Sequence, residues 1–386
     1  MLVKEISAKQ RKKSWLGKFF LNTTRRAWEI NATGFTPSDQ RRFLAQEVTR
    51  PRRVLKFLKR RFIMWVLGQD HLEVNRIALT AKRILWISLS APSIGDSIMD
   101  LAAARLLAGK SLHLLTGELN APLHSACETF EAVFTSVEAT LVASKQDPYD
   151  FVIVDSYTPR SLLPKYRIAK DVPFVGLYGY LNGYEIHRTL FAFNRMQTLL
   201  GVSTNTKLRV SPELRLKPEF RINTKIPNNS RTCVCIAVGA EWEFRRYAHW
   251  DAVIDEIGPG HNFILIGSKN GLRDAERIER RCHSVTNYVG KLSLVETVGL
   301  ISECDFILAA DGGLWHIGCA FGKPSVSLFA DCQLSDQAGH KISRTTPDIP
   351  SVDLMADASV SEIAPWEIAH AFLLLQKRYG SGAFNT

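Results

Sequence analysis

Cys304-Asp-Phe-Ile-Leu-Ala-Ala-Asp311-Gly312-Gly313-Leu314-Trp-His316-Ile-Gly-Cys-Ala-Phe-Gly-Lys-Pro324-Ser-Val-Ser-Leu-Phe-Ala330 decides how the rest of the chain is read. Its pattern predicts a buried strand from Asp305 to Ala309, a turn at Asp311-Gly312-Gly313, a short helix to about Phe321 and a second strand from Ser325 to Phe329. That order is a strand–turn–helix–strand unit of a parallel sheet. Two adjacent glycines let the backbone approach a ligand closely, and the helix starting there aims unpaired N–H groups and its positive end into the turn. A diphosphate is the natural guest of such a turn. The same residues also fit a plain tight turn with Asp311 as the helix cap.

Upstream, strands alternate with helical segments. Ile84–Leu89 reads as a buried strand, followed by Ser90–Asp96 and a helix from Ser97 to about Ala108. Further strands are expected at Ser111–Leu115, Phe151–Asp155 and Pro173–Leu177. The polar, proline-bearing stretch from Leu208 to Arg231 reads as a linker. Beyond it, Thr232–Val238 and Asn262–Ile266 are strands, and Ser361–Arg378 is a closing helix with Ile363, Trp366, Ile368, Ala369, Phe372 and Leu375 available to pack. Alternation of this kind predicts α/β architecture with doubly wound parallel sheets. With 386 residues and 46% hydrophobic content, the chain has room for about two such domains.

The charge is uneven. Residues 1–80 hold 18 of the 49 Lys and Arg and 6 of the 38 Asp and Glu, so of the net +11 the remaining residues carry −1. Residues 1–79 are therefore expected to form a basic helical extension. In it Val54, Leu55, Leu58, Phe62, Trp65 and Val66 recur at helical spacing, with Arg52, Lys56, Lys59 and Arg60 largely elsewhere. Such a helix either lies on an anionic membrane surface with Phe62 and Trp65 dipped into it, or packs on a sheet domain with a solvated basic rim. No nucleic-acid-binding module accompanies the basic residues. The seven scattered cysteines read as reduced, buried thiols, and no Cys or His spacing indicates a metal site. No run reaches the roughly 20 apolar residues needed to span a bilayer, and no signal peptide is evident.

Several motifs resemble the ADP-heptose:lipopolysaccharide heptosyltransferases, glycosyltransferase family 9. In the opening stretch Asp311, Gly313, Leu314, His316, Ala320, Gly322, Pro324, Leu328 and Phe329 fit the family signature, whereas Gly312 stands where the family has threonine. Ile94-Gly95-Asp96-Ser97-Ile98-Met99 is similar to the family's N-terminal motif. Gly239-Ala240-Glu241-Trp242-Glu243-Phe244-Arg245 resembles its second-domain loop, with Arg245 in place of a lysine and Trp250 matching a later tryptophan. Gly267-Ser268 is similar to a short turn near the nucleotide.

The resemblance implies a GT-B fold: two facing Rossmann-like doubly wound domains, expected at 80–225 for the acceptor and 226–386 for the nucleotide sugar. It implies an inverting, metal-independent transfer, without cofactor, of a heptose from ADP-heptose or a related nucleotide sugar to the lipid A-core glycolipid. The protein is then expected to be cytoplasmic and peripheral on the inner face of the bacterial inner membrane, which residues 1–79 would contact.

By the same resemblance Asp96 is the general base, with Ser93 and Gly95 in the acceptor-side loop. Arg245 faces the diphosphate, and Gly239, Ala240, Glu241, Gly267, Asp311, Gly312, Gly313, Leu314 and His316 line the donor site. Each has a plainer reading. Asp96 would cap the helix that follows it, Arg245 would belong to a surface pair, and His316 would be a satisfied core residue. Glu241 and Glu243 would either hold Arg245 or meet donor hydroxyls. A transferase with another nucleotide sugar or another acceptor, and a non-catalytic scaffold, are the competing functions.

Overall fold

The computed structural model describes residues 50–91, 93–180, 188–202, 210–221, 231–330 and 350–379, with side chains from residue 54 onward. Cys332 and residues 1–49 of the expected extension lie outside them. The chain opens with helix α1 (Arg50–Val66). Residues 67–79 are not helical. They fold onto the first sheet, where Leu72 O accepts from Phe174 N at 3.0 Å and Val74 N donates to Phe174 O at 3.0 Å.

The first sheet contains β1 (Arg83–Ser88), β2 (Ser111–Thr116), β3 (Ala132–Phe134), β4 (Phe151–Ser156) and β5 (Phe174–Gly179), all parallel in the order β3-β2-β1-β4-β5. Its crossovers include α2 (Ile94–Asp100), α3 (Ala121–Ser125), α4 (Val137–Gln146) and α5 (Pro159–Ile168), and α6 (Arg188–Leu200) follows β5. The second sheet contains β6 (Thr232–Ala237), β7 (His261–Ile266), β8 (Val285–Asn287), β9 (Phe306–Ala310), β10 (Ser325–Ala330) and β11 (Ser351–Ala356), also parallel, in the order β11-β10-β9-β6-β7-β8. Its helices are α7 (Trp250–Ile257), α8 (Leu272–Arg281), α9 (Leu294–Glu303), α10 (Gly313–Ala320) and the closing α11 (Pro365–Tyr379).

The central strands are buried along nearly their whole length, as a parallel sheet covered on both faces requires. Parallel sheets with helical crossovers were legible from the alternation. The short β3 and β8 and the edge strand β11 were not expected, because three half-buried residues or a partly exposed edge leave little hydrophobic signal. Trp366 is 60% exposed at the start of α11. Ile368, Ala369, Phe372 and Leu375 form the packed stripe instead, at the helical period.

The two halves share an apolar cluster. Ile98, Leu123, Ala126 and Cys127 of the first half pack with Cys235, Ile264, Val298, Trp315 and Ile317 of the second. Part of the expected linker joins this contact, since Leu216 is buried in the cluster and Leu214 N donates to Ala320 O at 3.0 Å. The two sheets thus meet through an apolar interior rather than across a solvated hinge. Leu123→Ala should lower stability by about 2–5 kcal/mol. Because Leu123 belongs to the cluster that both halves share, thermal unfolding followed by circular dichroism should show a single transition moved to lower temperature, with no separate early step for one sheet.

Candidate active site

Strand order dictates where the loops can meet. In the second sheet the chain winds from β6 outward through β7 to β8, then returns to β9 and winds the other way, so the switch point lies between β6 and β9. In the first sheet it lies between β1 and β4. Loops leaving the carboxyl ends of strands at such points diverge and leave a crevice. The loops after β6 and β9 carry Gly239–Arg245 and Asp311–Gly313, and the loop after β1 leads into Asp96.

Helix α2 begins earlier than expected, at Ile94, because Ser93 is its cap: Ser93 Oγ accepts from Asp96 N at 3.2 Å. Asp96 is therefore not the cap but a first-turn residue, an acid at the positive end of the helix. Beyond Asp100 the chain continues as a 3₁₀ segment, Leu101–Leu107, in place of the long α-helix expected. The Asp96 carboxylate is held from two sides: Ser93 Oγ donates to Oδ2 at 2.8 Å, and Arg188 Nη1 lies 2.9 Å from Oδ1.

Arg188, at the start of α6, was missed by the sequence reading. It also engages Asp100 through both Nε, at 2.8 Å, and Nη2, while the Tyr178 hydroxyl donates to the same carboxylate. Burial opposes the charge on Arg188, but Tyr178, Asp100 and Asp96 together outweigh it and the guanidinium is pushed above its ordinary pKa. A signal for it existed. Asp96 and Asp100 are four apart on one helix, so their carboxylates share a face and repel unless a cation sits between them.

On the other side, β9 ends at Ala310 and α10 starts at Gly313 with Gly312 as its cap position; no side chain caps it. Asp311 is consequently not a cap either. Its carboxylate is buried and bound by Arg245 Nη2 at 3.1 Å and His316 Nε2 at 3.4 Å, while Arg245 Nη1 donates to the Asp311 carbonyl at 3.4 Å. Burial pushes the Asp311 carboxyl up, but the His316 ring and the Arg245 guanidinium outweigh it and hold it below the usual carboxylate range. Arg245 is thus no surface pair, and Asp311 rather than the neighbouring glutamates holds it. Glu243 is exposed and lies 3.6 Å from Arg246, whose guanidinium pairs with Asp274 at 2.7 Å, and Glu241 is exposed at the start of the loop.

Gly239 and Gly267 have a packing role. Gly239, at φ 85°, lies so close to the Gly271 backbone that a β-carbon would sit 2.8 Å from its Cα, and a β-carbon on Gly267 would collide with Val238 O. Asn270 Nδ2 donates to Ala240 O at 2.9 Å, so the loop carrying Arg245 is braced by the loop after β7. Leu314 is half-buried against the apolar cluster shared by the two halves.

The two sides touch. A β-carbon on Gly95 would overlap the His316 ring, and one on Gly313 would sit 3.5 Å from the Ile94 side chain. His316 is buried, as a core residue would be, yet its ring links Asp311 of the second half to Gly95 of the first. A separate cavity of about 460 Å3, lined by Ile98, Arg105, His124, Glu131 and Arg215 among others, includes none of the expected catalytic, donor-binding or acceptor-loop residues. The candidate site is therefore the junction of the two motif loops. Among the described residues no three His, Cys, Asp or Glu side chains gather as a metal cage.

Residues 184–336, which include α6, most of the second sheet and the Asp311–His316 turn, match the family model "Glycosyltransferase family 9 (heptosyltransferase)". The second half of the chain is thus similar to glycosyltransferase family 9. The fold is similar to that of three solved proteins. The family 9 glycosyl transferase of Veillonella parvula is 14% identical, with a TM-score of 0.65 over 79% of this chain and 100% of its own. Escherichia coli ADP-heptose lps heptosyltransferase II is 17% identical, with a TM-score of 0.60 over 78% and 100%. E. coli heptosyltransferase WaaC, solved with ADP, is 16% identical, with a TM-score of 0.57 over 76% and 99%. No curated protein matches the sequence.

The depressed Asp311 pKa has a testable sign. The carboxyl releases its proton more readily folded than unfolded, so its contribution to stability is present above the unfolded value, about 4, and is lost as pH falls through the folded one. Arg245→Met removes one of the two groups that hold it down. Unfolding measured against pH should show the variant about 1–3 kcal/mol less stable at neutral pH, with its acid-induced loss beginning at higher pH than in the wild type.

Proposed function

We propose that this protein is a family 9 glycosyltransferase that moves a heptose from ADP-heptose to the inner core of lipopolysaccharide or lipooligosaccharide. The observation that carries the reading is the contact of Gly95 with His316, which sets the loop of Asp96 against the turn of Asp311. Donor and acceptor chemistry then share one junction. Asp96 takes the proton from the acceptor hydroxyl as that oxygen attacks the anomeric carbon opposite the diphosphate, so configuration inverts in a single displacement. Ser93 and Arg188 orient the Asp96 carboxylate for that proton.

Charge developing on the departing diphosphate meets Arg245 and the N–H groups at the start of α10, around Gly312, Gly313 and Leu314. Protein groups supply this charge without a metal ion. Asp311 orients both Arg245 and His316, and Gly239, Ala240, Glu241 and Gly267 border the donor. The family lysine is an arginine here, which turns a point donor into a planar fork able to hold Asp311 and a phosphate oxygen together. Two similar structures solved with ADP and with ADP-2-deoxy-2-fluoro heptose support an adenine nucleotide as donor. A lipid A-core acceptor places the reaction on the inner face of the bacterial inner membrane.

One observation favours a second reading, a different nucleotide sugar or acceptor. Gly312 has no conformational need to be glycine, since its φ of 179° is ordinary extended backbone and a β-carbon there would meet only Ala310 O, at 3.7 Å. The family threonine would fit, so its absence removes a hydroxyl from the donor turn without a structural reason.

Calorimetry with ADP, UDP, GDP and ADP-heptose tests both readings. ADP-heptose should bind most tightly, and Asp311→Ala should weaken it at least about tenfold by releasing Arg245 and His316. Asp96→Ala should abolish transfer, measured by release of ADP, while nucleotide binding stays close to wild type. Preference for UDP or GDP would move the assignment to the second reading, and binding of none of the four would favour a non-catalytic scaffold.

A further inference from the structure

We infer that the exposed face of α1 docks the protein onto an anionic phospholipid bilayer. The helix meets the protein through a narrow side: the Phe57 ring lies 4.6 Å from that of Tyr180, Arg60 Nη1 donates to Gly179 O at 3.1 Å, and Met64 Sδ accepts from the Tyr180 hydroxyl at 3.2 Å. The apolar stripe read from the sequence is not on that side. Leu55, Leu58, Phe62, Trp65 and Val66 all face outward, with Leu55 and Trp65 67% and Phe62 62% exposed. The helix does pack on the sheet domain with an exposed basic rim, one of the two placements the sequence allows, but through Phe57, Arg60 and Met64 and not through this stripe.

Charge decides what covers the stripe. The helix carries seven Lys and Arg and no Asp or Glu, and Lys56 and Lys59 are exposed beside the apolar residues. A second copy using the same face about a two-fold axis would set those cations against their own kind. A nucleic acid would satisfy the cations and leave five large apolar side chains in water. An anionic bilayer serves both, with acyl chains for the leucines and aromatics and headgroup phosphates for the lysines. Docking is in the plane of the surface: no helix among the described residues is long and apolar enough to cross a membrane.

The position of α1 gives the docking a consequence, which rests on the transfer reading above. Its inward side is tied to Gly179 and Tyr180 at the carboxyl end of β5, and its Arg60 feels the charge of Asp155 near the end of β4. Asp155 Oδ2 in turn accepts from Leu89 N at 2.9 Å and Ser90 N at 2.6 Å, the start of the loop that leads to Asp96. A bilayer under α1 therefore lies along the same sheet edge as the proposed base. A lipid-anchored acceptor would reach Asp96 by diffusing in that surface.

The test is sedimentation of the full chain with phosphatidylcholine vesicles, with and without phosphatidylglycerol. Wild type should bind the anionic vesicles at least about tenfold more tightly. Leu55→Ser/Phe62→Ser/Trp65→Ser changes only exposed side chains, so it should keep the wild-type melting temperature and lose at least about tenfold of the vesicle binding. Lys56→Glu/Lys59→Glu should lose the preference for phosphatidylglycerol. Absence of wild-type binding, or equal binding by the triple variant, would overturn the proposal. So would a wild-type dimer in analytical ultracentrifugation that the triple variant converts to monomer, since a second copy would then own the face. ADP binding, measured alongside, should be the same in every variant, so a docking failure with ADP binding intact leaves the transfer reading standing.

Discussion

A buried carboxylate organises the second half of the site. Asp311 sits at the end of a central strand, where the sheet and α10 remove it from water, and an ionised carboxylate in that position costs several kcal/mol unless charged and hydrogen-bonding groups surround it. Arg245 and His316 answer that requirement, and in doing so each is fixed in space. The loop after β6 is pinned to the turn after β9 by the first pair. The first residues of α10 are pinned to the same carboxylate by the second. Because the His316 ring also fills the space above Gly95, the demand of one buried charge propagates into the seam between the two sheets.

The first half repeats the logic with the opposite arithmetic. There one guanidinium, Arg188, serves two carboxylates, Asp96 and Asp100, and Tyr178 helps to satisfy the deeper one. Asp100 is buried and absorbs most of the cation, whereas Asp96 is nearer the surface and takes a single contact from it. A carboxylate with one such contact and one from a serine hydroxyl is oriented while keeping lone pairs to offer a hydroxyl proton. The chemistry proposed for this junction needs an oriented acceptor of protons on one side and oriented donors on the other. Those are the two electrostatic arrangements found. An apolar cluster common to both halves holds them together, so a large opening of the seam would expose apolar surface.

Much of this was legible in the sequence for physical reasons. Central parallel strands are continuous apolar runs, so β1, β4, β6, β7, β9 and β10 stood out, and the glycines and acids just after them marked the carboxyl edge. The plainer cap readings do not hold, because Ser93, three residues before Asp96, takes the free N–H groups of α2, and at α10 the cap position falls on Gly312, with no side-chain cap. Arg188 escaped notice because its partners are 88 and 92 residues away in sequence. The apolar stripe of α1 was read correctly as a stripe, but its periodicity says only that one face differs from the other and not which face meets the protein.

The sequence by itself determined the alternation of strands and helices, the glycine-marked turns, the imbalance of charge between the first 80 residues and the rest, and the motifs that resemble those of a glycosyltransferase family. All of these depend on spacing and residue type along the chain. Only the tertiary structure decided which acid meets which base, that His316 bridges the two halves, and that α1 turns its apolar stripe outward. Those facts are pairings between groups far apart in sequence. They are settled by the competition among burial, charge and hydrogen bonding once the sheets have brought the groups together.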